Sequence, residues 1–597
     1  MSSSSSSSPP TVNGDEPLYV PKKRLIVCCD GTWMNSDTGY EKPTLFHPLG
    51  KAQVPSNVTR LSRSLRRVCR DGTLQIIAYQ NGVGTGSTIS DAITGGAFGR
   101  GIAENVREAY AFICANYNDG DDIILVGFSR GAFTARSVAG MIGDLGLLTR
   151  EGMEHFYPVF KDMQNWRTPG YNDPFPNVPF PNKPKGEGAE EIYRQLLLDR
   201  GLTRVHQNGG TGALIKVKAV GVWDTVGSLG IPQVSWLPTL SIGAASKEYR
   251  FYDTNLSDRI EHAFQALALD EHRPPFSPAV WERSAANRHT TELRQVWFPG
   301  NHGNVGGGWQ DAGIANMSLA WMMDQLASVG VEFDEATITR IFSRLESYYK
   351  TIATGRTPHP DTTSADLSSA VTEAEAKSNS SRAWAIAQIY ETNHPIRPWG
   401  MGALLKASSF LYTLAGYNLR TPGTYKKINL STGSSSRAFL EDTNERIHSS
   451  VRVRLAAGGL GLNDSGVWDC PALKGKWAPR RTDRTFFDPI PRTRKTWEQV
   501  KEVKAHDVAA DPEHHGNPKK QIEIMERAAE EQRPLSGGDK DDTGGRWVWE
   551  WCGGEKDAPA ERMLVEEPLG PYERQLLRLA SGKPNIYEFA DGRAVRL

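Results

Sequence analysis

Ile123-Ile124-Leu125-Val126-Gly127-Phe128-Ser129-Arg130-Gly131-Ala132 is an unbroken apolar run that ends in a serine bracketed by small residues. A continuous run suits a strand buried on both faces of a parallel sheet, because a half-exposed strand would alternate apolar and polar residues. The G-x-S-x-G spacing then asks for a sharp strand-to-helix turn, with glycines where a side chain would clash. Phe133-Thr134-Ala135-Arg136-Ser137-Val138-Ala139-Gly140-Met141 supplies the helix that should follow. Gly127 and Gly131 thus frame an elbow, and Ser129 is its apex.

The same pattern recurs outward from this segment. Short β-branched runs at residues 25–29, 74–79, 217–222 and 293–298 lead into polar loops. Those loops begin Asp30-Gly31-Thr32, Gly82-Val83-Gly84-Thr85-Gly86, Asp224 and Gly300. Residues 102–117 place Val106, Tyr110, Ile113 and Tyr117 at helical spacing. Strands alternating with helices predict an α/β, doubly wound, mostly parallel sheet. Ligands of such sheets bind beyond the carboxyl ends of the strands, where the polar loops lie.

With 597 residues the chain is too long for one core. Residues 1–21 are rich in Ser and Pro and read as disordered. Residues 22–330 carry the alternating pattern and form the expected catalytic domain. Residues 331–482 read as a largely helical C-terminal or lid region, with helices at 336–350, 381–391 and 401–419. The apolar stretch 401–419 suits either a core helix or a membrane-facing lid. Residues 483–545 read as a charged, partly disordered linker containing one solvated helix at 519–531. Residues 546–597 are expected to return and pack on the preceding region. There Arg546-Trp547-Val548-Trp549-Glu550-Trp551 alternates as a strand does, with a partner sought near Val467-Trp468.

Lys+Arg and Asp+Glu both number 69, so net charge gives no argument for nucleic acid as a partner. Arg60, Arg63, Arg66, Arg67 and Arg70 read as one solvated helix face. The six cysteines show no metal-ligand spacing, and neither an HExxH nor a P-loop pattern occurs. No cofactor or metal is expected. The N-terminus lacks a basic region followed by an apolar stretch, and no run reaches the ~20 apolar residues that span a bilayer. The expectation is a cytoplasmic protein, with peripheral membrane contact and oligomeric state left open.

A serine hydroxyl becomes a nucleophile only when a base takes its proton. On an α/β-hydrolase-like sheet the partners follow in the order Ser, acid, His. Asp224 ends the run Val220-Gly221-Val222-Trp223, with Asp253, Asp258 and Asp270 as rivals. His302 sits in Gly300-Asn301-His302-Gly303-Asn304 after a strand, with His262, in a helix-like stretch, and His272 as alternatives. The backbone amide of Arg130 and that of Gly31 or Thr32 would form an oxyanion hole.

KRLIVCCDGTW, YQNGVGTG, GFSRGAFTARSVAGMIGDLGLL, GVWDTVGSLGIP, YDTNLSDRIEHAFQALALDEHRPPF and WFPGNHGNVGGGW occur in that order. Together they resemble the α/β-hydrolase catalytic domain of the type VI secretion phospholipase effectors, in its uncharacterised fungal branch. The resemblance covers about residues 22–330. It implies a Ser-Asp-His triad at Ser129, Asp224 and His302, and hydrolysis of an ester or lipid substrate. A haloacid-dehalogenase-type phosphatase would need an aspartate two residues before Asp30, where Cys28 stands. A dinucleotide site at residues 82–86 lacks the third glycine at the opening of a helix. A catalytically idle scaffold of the same fold is the alternative from another class.

Overall fold

The computed structural model describes residues 21–31, 40–41, 51–52, 54–82, 96–168, 170–226, 255–353, 382–391, 417–428, 435–482, 546–580, 586–591 and 595. One sheet of ten strands organises them. In chain order its strands are β1 Lys23–Cys29, β2 Leu74–Gln80, β3 Asp122–Phe128, β4 Val217–Trp223 and β5 Ile260–Ala268. Then come β6 Glu292–Phe298, β7 Glu445–His448, β8 Trp477–Thr482, β9 Arg546–Trp551 and β10 Met563–Glu567. Across the sheet the order is β8-β9-β10-β7-β6-β5-β4-β3-β1-β2. The neighbours from β2 to β10 pair in parallel, and only β8–β9 and β9–β10 are antiparallel.

The apolar runs become central strands for a simple reason. Successive side chains point to opposite faces, and here both faces are covered. Leu25, Val27, Ile123 and Leu125 face one layer, with α2 Gly96–Asn116 and α3 Arg130–Leu145 above them. Ile26, Cys28, Ile124 and Val126 face the other, under α1 Asn57–Ser64 and α5 Gly313–Ser328. Full burial of each such side chain stabilises by about 1.5–3 kcal/mol. The four runs beyond the elbow segment all fall within β1, β2, β4 and β6. The stretch around His262 is strand β5 rather than helix: it pairs with β4 on one side and β6 on the other.

Beyond residue 330 the chain adds strands as well as helices. α6 Glu335–Ala353 forms where residues 336–350 predict it. Residues 382–391 are turns and an isolated bridge instead of a helix, tied down by bonds such as Asn304 Nδ2 to the Gln388 carbonyl at 2.9 Å. β7 and β10 continue the parallel sheet past β6. β9 pairs with β8 on one side and β10 on the other, so the partners of the Trp-rich segment are Trp477–Thr482 and Met563–Glu567 and not Val467-Trp468. Residues 401–416, 483–545 and 1–20 lie outside the described residues. Among the described residues no helix is long and apolar enough to cross a membrane.

Buried charge pairs lock this second wing to the first. Glu567 of β10 accepts from Arg294 and Arg446, each at 2.9 Å. Arg452 of α7 Ser449–Ala456 forms a fork with Glu566 at 2.8 and 2.9 Å. Asp324 of α5 accepts from the amides of Tyr572 and Glu573, at the start of α8 Pro571–Ala580. Removing one member of a buried pair costs about 3–5 kcal/mol, because its partner keeps a charge that water cannot reach. Deleting residues 546–597 removes Glu566 and Glu567 and leaves three buried guanidiniums without them. The truncated chain should aggregate or unfold without a cooperative thermal transition. An unchanged melting curve would contradict this.

Candidate active site

The elbow is built by two close approaches. A Cβ on Gly127 would fall on the Gly131 carbonyl, and one on Gly131 would fall on the Cys29 carbonyl of β1. Only glycine lets α3 start this near the strands. Ser129, between them, holds φ 57° and ψ −118°, a conformation that side chains resist. Its amide donates to the Trp223 carbonyl at 3.1 Å, and its own carbonyl accepts from Phe133 as α3 begins. Ser129 keeps 7% exposure.

Asp224 follows directly on β4, the strand beside β3, at φ 41°. Its amide is held by the Ala266 carbonyl of β5 at 2.7 Å. The carboxylate is fully buried. Oδ1 accepts from the Ala268 amide at 3.1 Å, and Oδ2 lies 2.5 Å from His302 Nδ1. His302 reaches it from the end of β6. There it opens the short helix α4 His302–Gly306, which Asn301 caps through the Asn304 amide. Phe128, the residue before Ser129, has its ring centre 4.7 Å from the imidazole, and Phe276 meets the imidazole edge-on at 5.0 Å. The sheet order therefore gathers Ser129, Asp224 and His302 at its carboxyl end.

Two flanking groups have no role assigned from the sequence: Arg420 lies in no motif, and Glu271 falls inside the stretch ending DEHRPPF. Arg420 donates to Asp224 Oδ1 at 2.6 Å and to Oδ2 at 3.1 Å. Glu271 accepts from the His302 amide at 3.3 Å and pairs with Arg273 at 2.7 Å. Burial would push the Asp224 carboxyl up, but the Arg420 charge and the His302 bond outweigh it and hold it at about 2. Glu271 is likewise held at about 2 against burial, chiefly by Arg273. Burial lowers the His302 imidazole, with the Asp224 bond and charge opposing. A neutral imidazole that donates from Nδ1 keeps Nε2 as its basic nitrogen, the form a general base needs.

The other named residues lie elsewhere or serve as ties. Arg130 opens α3, where backbone amides project from the helix end. The Gly31 amide donates to Asp30 Oδ1 at 2.6 Å, and Thr32 lies outside the described residues. Asp30 itself is buried under Ser56, Thr59 and Tyr79 hydroxyls, all within 2.8 Å of Oδ2. Asp270 anchors the Gly300 amide at 2.6 Å and the Trp468 indole at 2.9 Å. Asp258 is an exposed partner of Arg259, and Asp253 lies outside the described residues. His262 sits near the opposite end of β5, beside Glu292 at 3.2 Å. Six residues of strand put it about 20 Å from the β5 terminus that touches Asp224. His272 stacks on Tyr417 at 4.3 Å. Arg60, read as part of a solvated face, is buried and donates to Asn57 at 2.9 Å.

The family model described as T6SS, phospholipase effector Tle1-like, catalytic domain matches residues 23–325, half of the chain. The uncharacterized protein YEL023C of Saccharomyces cerevisiae is 26% identical over 267 residues, 42% of this chain and 32% of that protein. The crystal structure of an uncharacterized protein from Pseudomonas aeruginosa aligns with a TM-score of 0.30 at 14% identity, covering 95% of this chain and 66% of that one. The chain thus spans about a third of the yeast relative's length and just under two thirds of the bacterial one's.

Asparagine at position 224 cannot neutralise Arg420, so Asp224→Asn should lose about 3 kcal/mol of stability near neutrality. The wild-type carboxylate's share is complete above its ordinary value of 3.8 and is lost as pH falls through about 2. The stability gap between the two proteins in urea titrations should therefore shrink towards about pH 2. A gap that is equal at both pH values would contradict the assignment.

Proposed function

Because the chain belongs to the Tle1-like phospholipase effector catalytic-domain family, we propose that it is a serine hydrolase that cleaves carboxylic ester bonds of lipids. The family supports a lipid ester as substrate. The reading of the site rests on one observation above all: the buried 2.5 Å contact between Asp224 Oδ2 and His302 Nδ1, with the Ser129 amide bonded to the carbonyl of the residue before Asp224.

In this mechanism His302 Nε2 takes the hydroxyl proton of Ser129 as the oxygen attacks the ester carbonyl. The Arg130 amide and one from the Gly31-Thr32 segment stabilise the oxyanion. Because the Gly31 amide already bonds Asp30, Thr32 is the better second donor. The C–O bond of the ester then breaks, and the imidazolium gives its proton to the leaving alcohol. A water molecule, deprotonated by His302, releases the acid and restores Ser129. Asp224 stays ionised throughout and stabilises the imidazolium.

A fluorophosphonate probe should label the wild-type chain, and peptide mapping should find the label on Ser129. Ser129→Ala should lose labelling, and release of fatty acid from phospholipid vesicles should fall by about a thousand-fold or more. Labelling that persists in Ser129→Ala would remove this serine from its role. A wild-type chain that neither labels nor hydrolyses would leave the idle-scaffold reading in its place.

A further inference from the structure

Arg420 lies outside the region matched by the family model, yet it is buried against the proposed triad. Its guanidinium spans both oxygens of Asp224, including the one that meets His302 Nδ1. It also donates to the Ala268 carbonyl at 2.9 Å and to the Phe276 carbonyl. Ala268 closes β5, and the Phe276 ring packs on His302. One planar group thus ties together the acid, the neighbouring strand end and the residue that packs on the base.

The turn that carries Arg420 is itself held from several sides. The Asn418 amide donates to the His272 carbonyl at 3.0 Å. Lys476 reaches Thr421 at 2.6 Å, and the Trp477 indole reaches the Pro422 carbonyl at 3.2 Å. The Gly423 amide donates to Glu445 Oε2 at 3.0 Å, the same oxygen that accepts from Trp297 at 2.8 Å. These anchors stand on β6, β7, the loop after β5, and the start of β8 with the residue before it. Strands from both wings of the sheet therefore set where Arg420 sits.

We propose that Arg420 is a positioning residue for the hydrolytic site, holding the Asp224 carboxylate in the orientation that receives His302 Nδ1. The proposal rests on the serine-hydrolase reading above. The physical need is plain. A carboxylate without water is costly in its charged form unless a cation faces it, and a neutral carboxyl cannot serve as the acceptor that the imidazolium needs. A fork of two N–H groups also fixes the carboxylate plane, which a point charge does not. Glu271 and Arg273 form a second pair on the amide side of His302, so the Asp224–Arg420 pair is the one in contact with the imidazole nitrogen. Turnover then depends on chain well beyond residue 325.

The test is the pH dependence of fluorophosphonate labelling of Ser129, which needs no knowledge of the natural lipid. Arg420→Met removes the charge and keeps an unbranched chain. Without the cation, the Asp224–His302 pair takes up its proton at higher pH. The acid limb of the labelling rate should move up by about one pH unit, and the plateau rate should fall about tenfold or more. Arg420→Lys keeps a charge but loses the fork. Its acid limb should stay near the wild-type position while the plateau still falls.

An Arg420→Met chain with the wild-type limb and plateau would overturn the proposal. Should Arg420→Met fail to fold, Arg420→Lys decides: a lowered plateau supports the proposal, and a wild-type plateau overturns it. Labelling of the wild-type chain, absent in Ser129→Ala, is the control for the hydrolase reading. If that control fails, the hydrolase reading falls and the proposal with it. If the control holds and the Arg420 variants behave as wild type, only the role of Arg420 falls.

Discussion

A carboxylate cut off from water sits at the end of β4, and its charge has to be matched locally. Asp224 meets that constraint with Arg420, the Ala268 amide and His302. Each partner comes from a different part of the chain: a turn beyond residue 416, the end of β5 and the helix after β6. The arrangement is nearly charge-balanced once Glu271 and Arg273 are included. A balanced cluster lets burial keep His302 neutral while Asp224 stays ionised. The site geometry is thus a consequence of desolvation, and the sheet order is what makes the matching possible.

The same constraint shapes the far wing of the sheet. Residues 23–325 are the part that matches the family, but the parallel sheet does not stop there. β7 and β10 extend it, and Glu566, Glu567 and Asp324 join the tail to β6, α5 and α7. Buried ion pairs are weak contributors to net stability, since the desolvation cost offsets much of the attraction. They are strong selectors of arrangement, because any other docking leaves a bare charge inside. Here they fix β7 beside β6, and β7 carries Glu445, which holds the turn before it.

Much of this was legible in the sequence where burial has a periodic signature. Continuous apolar runs marked four of the first six strands besides the elbow strand, and glycine spacing marked the elbow. The pairing of Asp224 with His302 followed from the places of both residues at strand ends. β5 was obscured because Ile260, Phe264 and Leu267 also fall at helical spacing among good helix formers. Hydrogen bonding to strands on both sides overrides that propensity. β7 reads Glu-Arg-Ile-His, with three polar residues that are buried only because partners meet them. Arg420 was invisible for the same reason: its partner is 196 residues away, and no local pattern encodes that pairing. The Trp-rich strand was legible by its alternation, but its register partner depends on where β10 docks.

If the Asp224–His302 pair turns Ser129 into a nucleophile, Ser129 carries the acyl group during turnover. Mixing the protein with a p-nitrophenyl ester, quenching in acid within the first turnover and mapping the peptides by mass tests this directly. The expected result is a burst of p-nitrophenol that matches the protein concentration, with the acyl group on Ser129. Acyl transfer to another residue, or hydrolysis without any acylated peptide at every quench time, would contradict it.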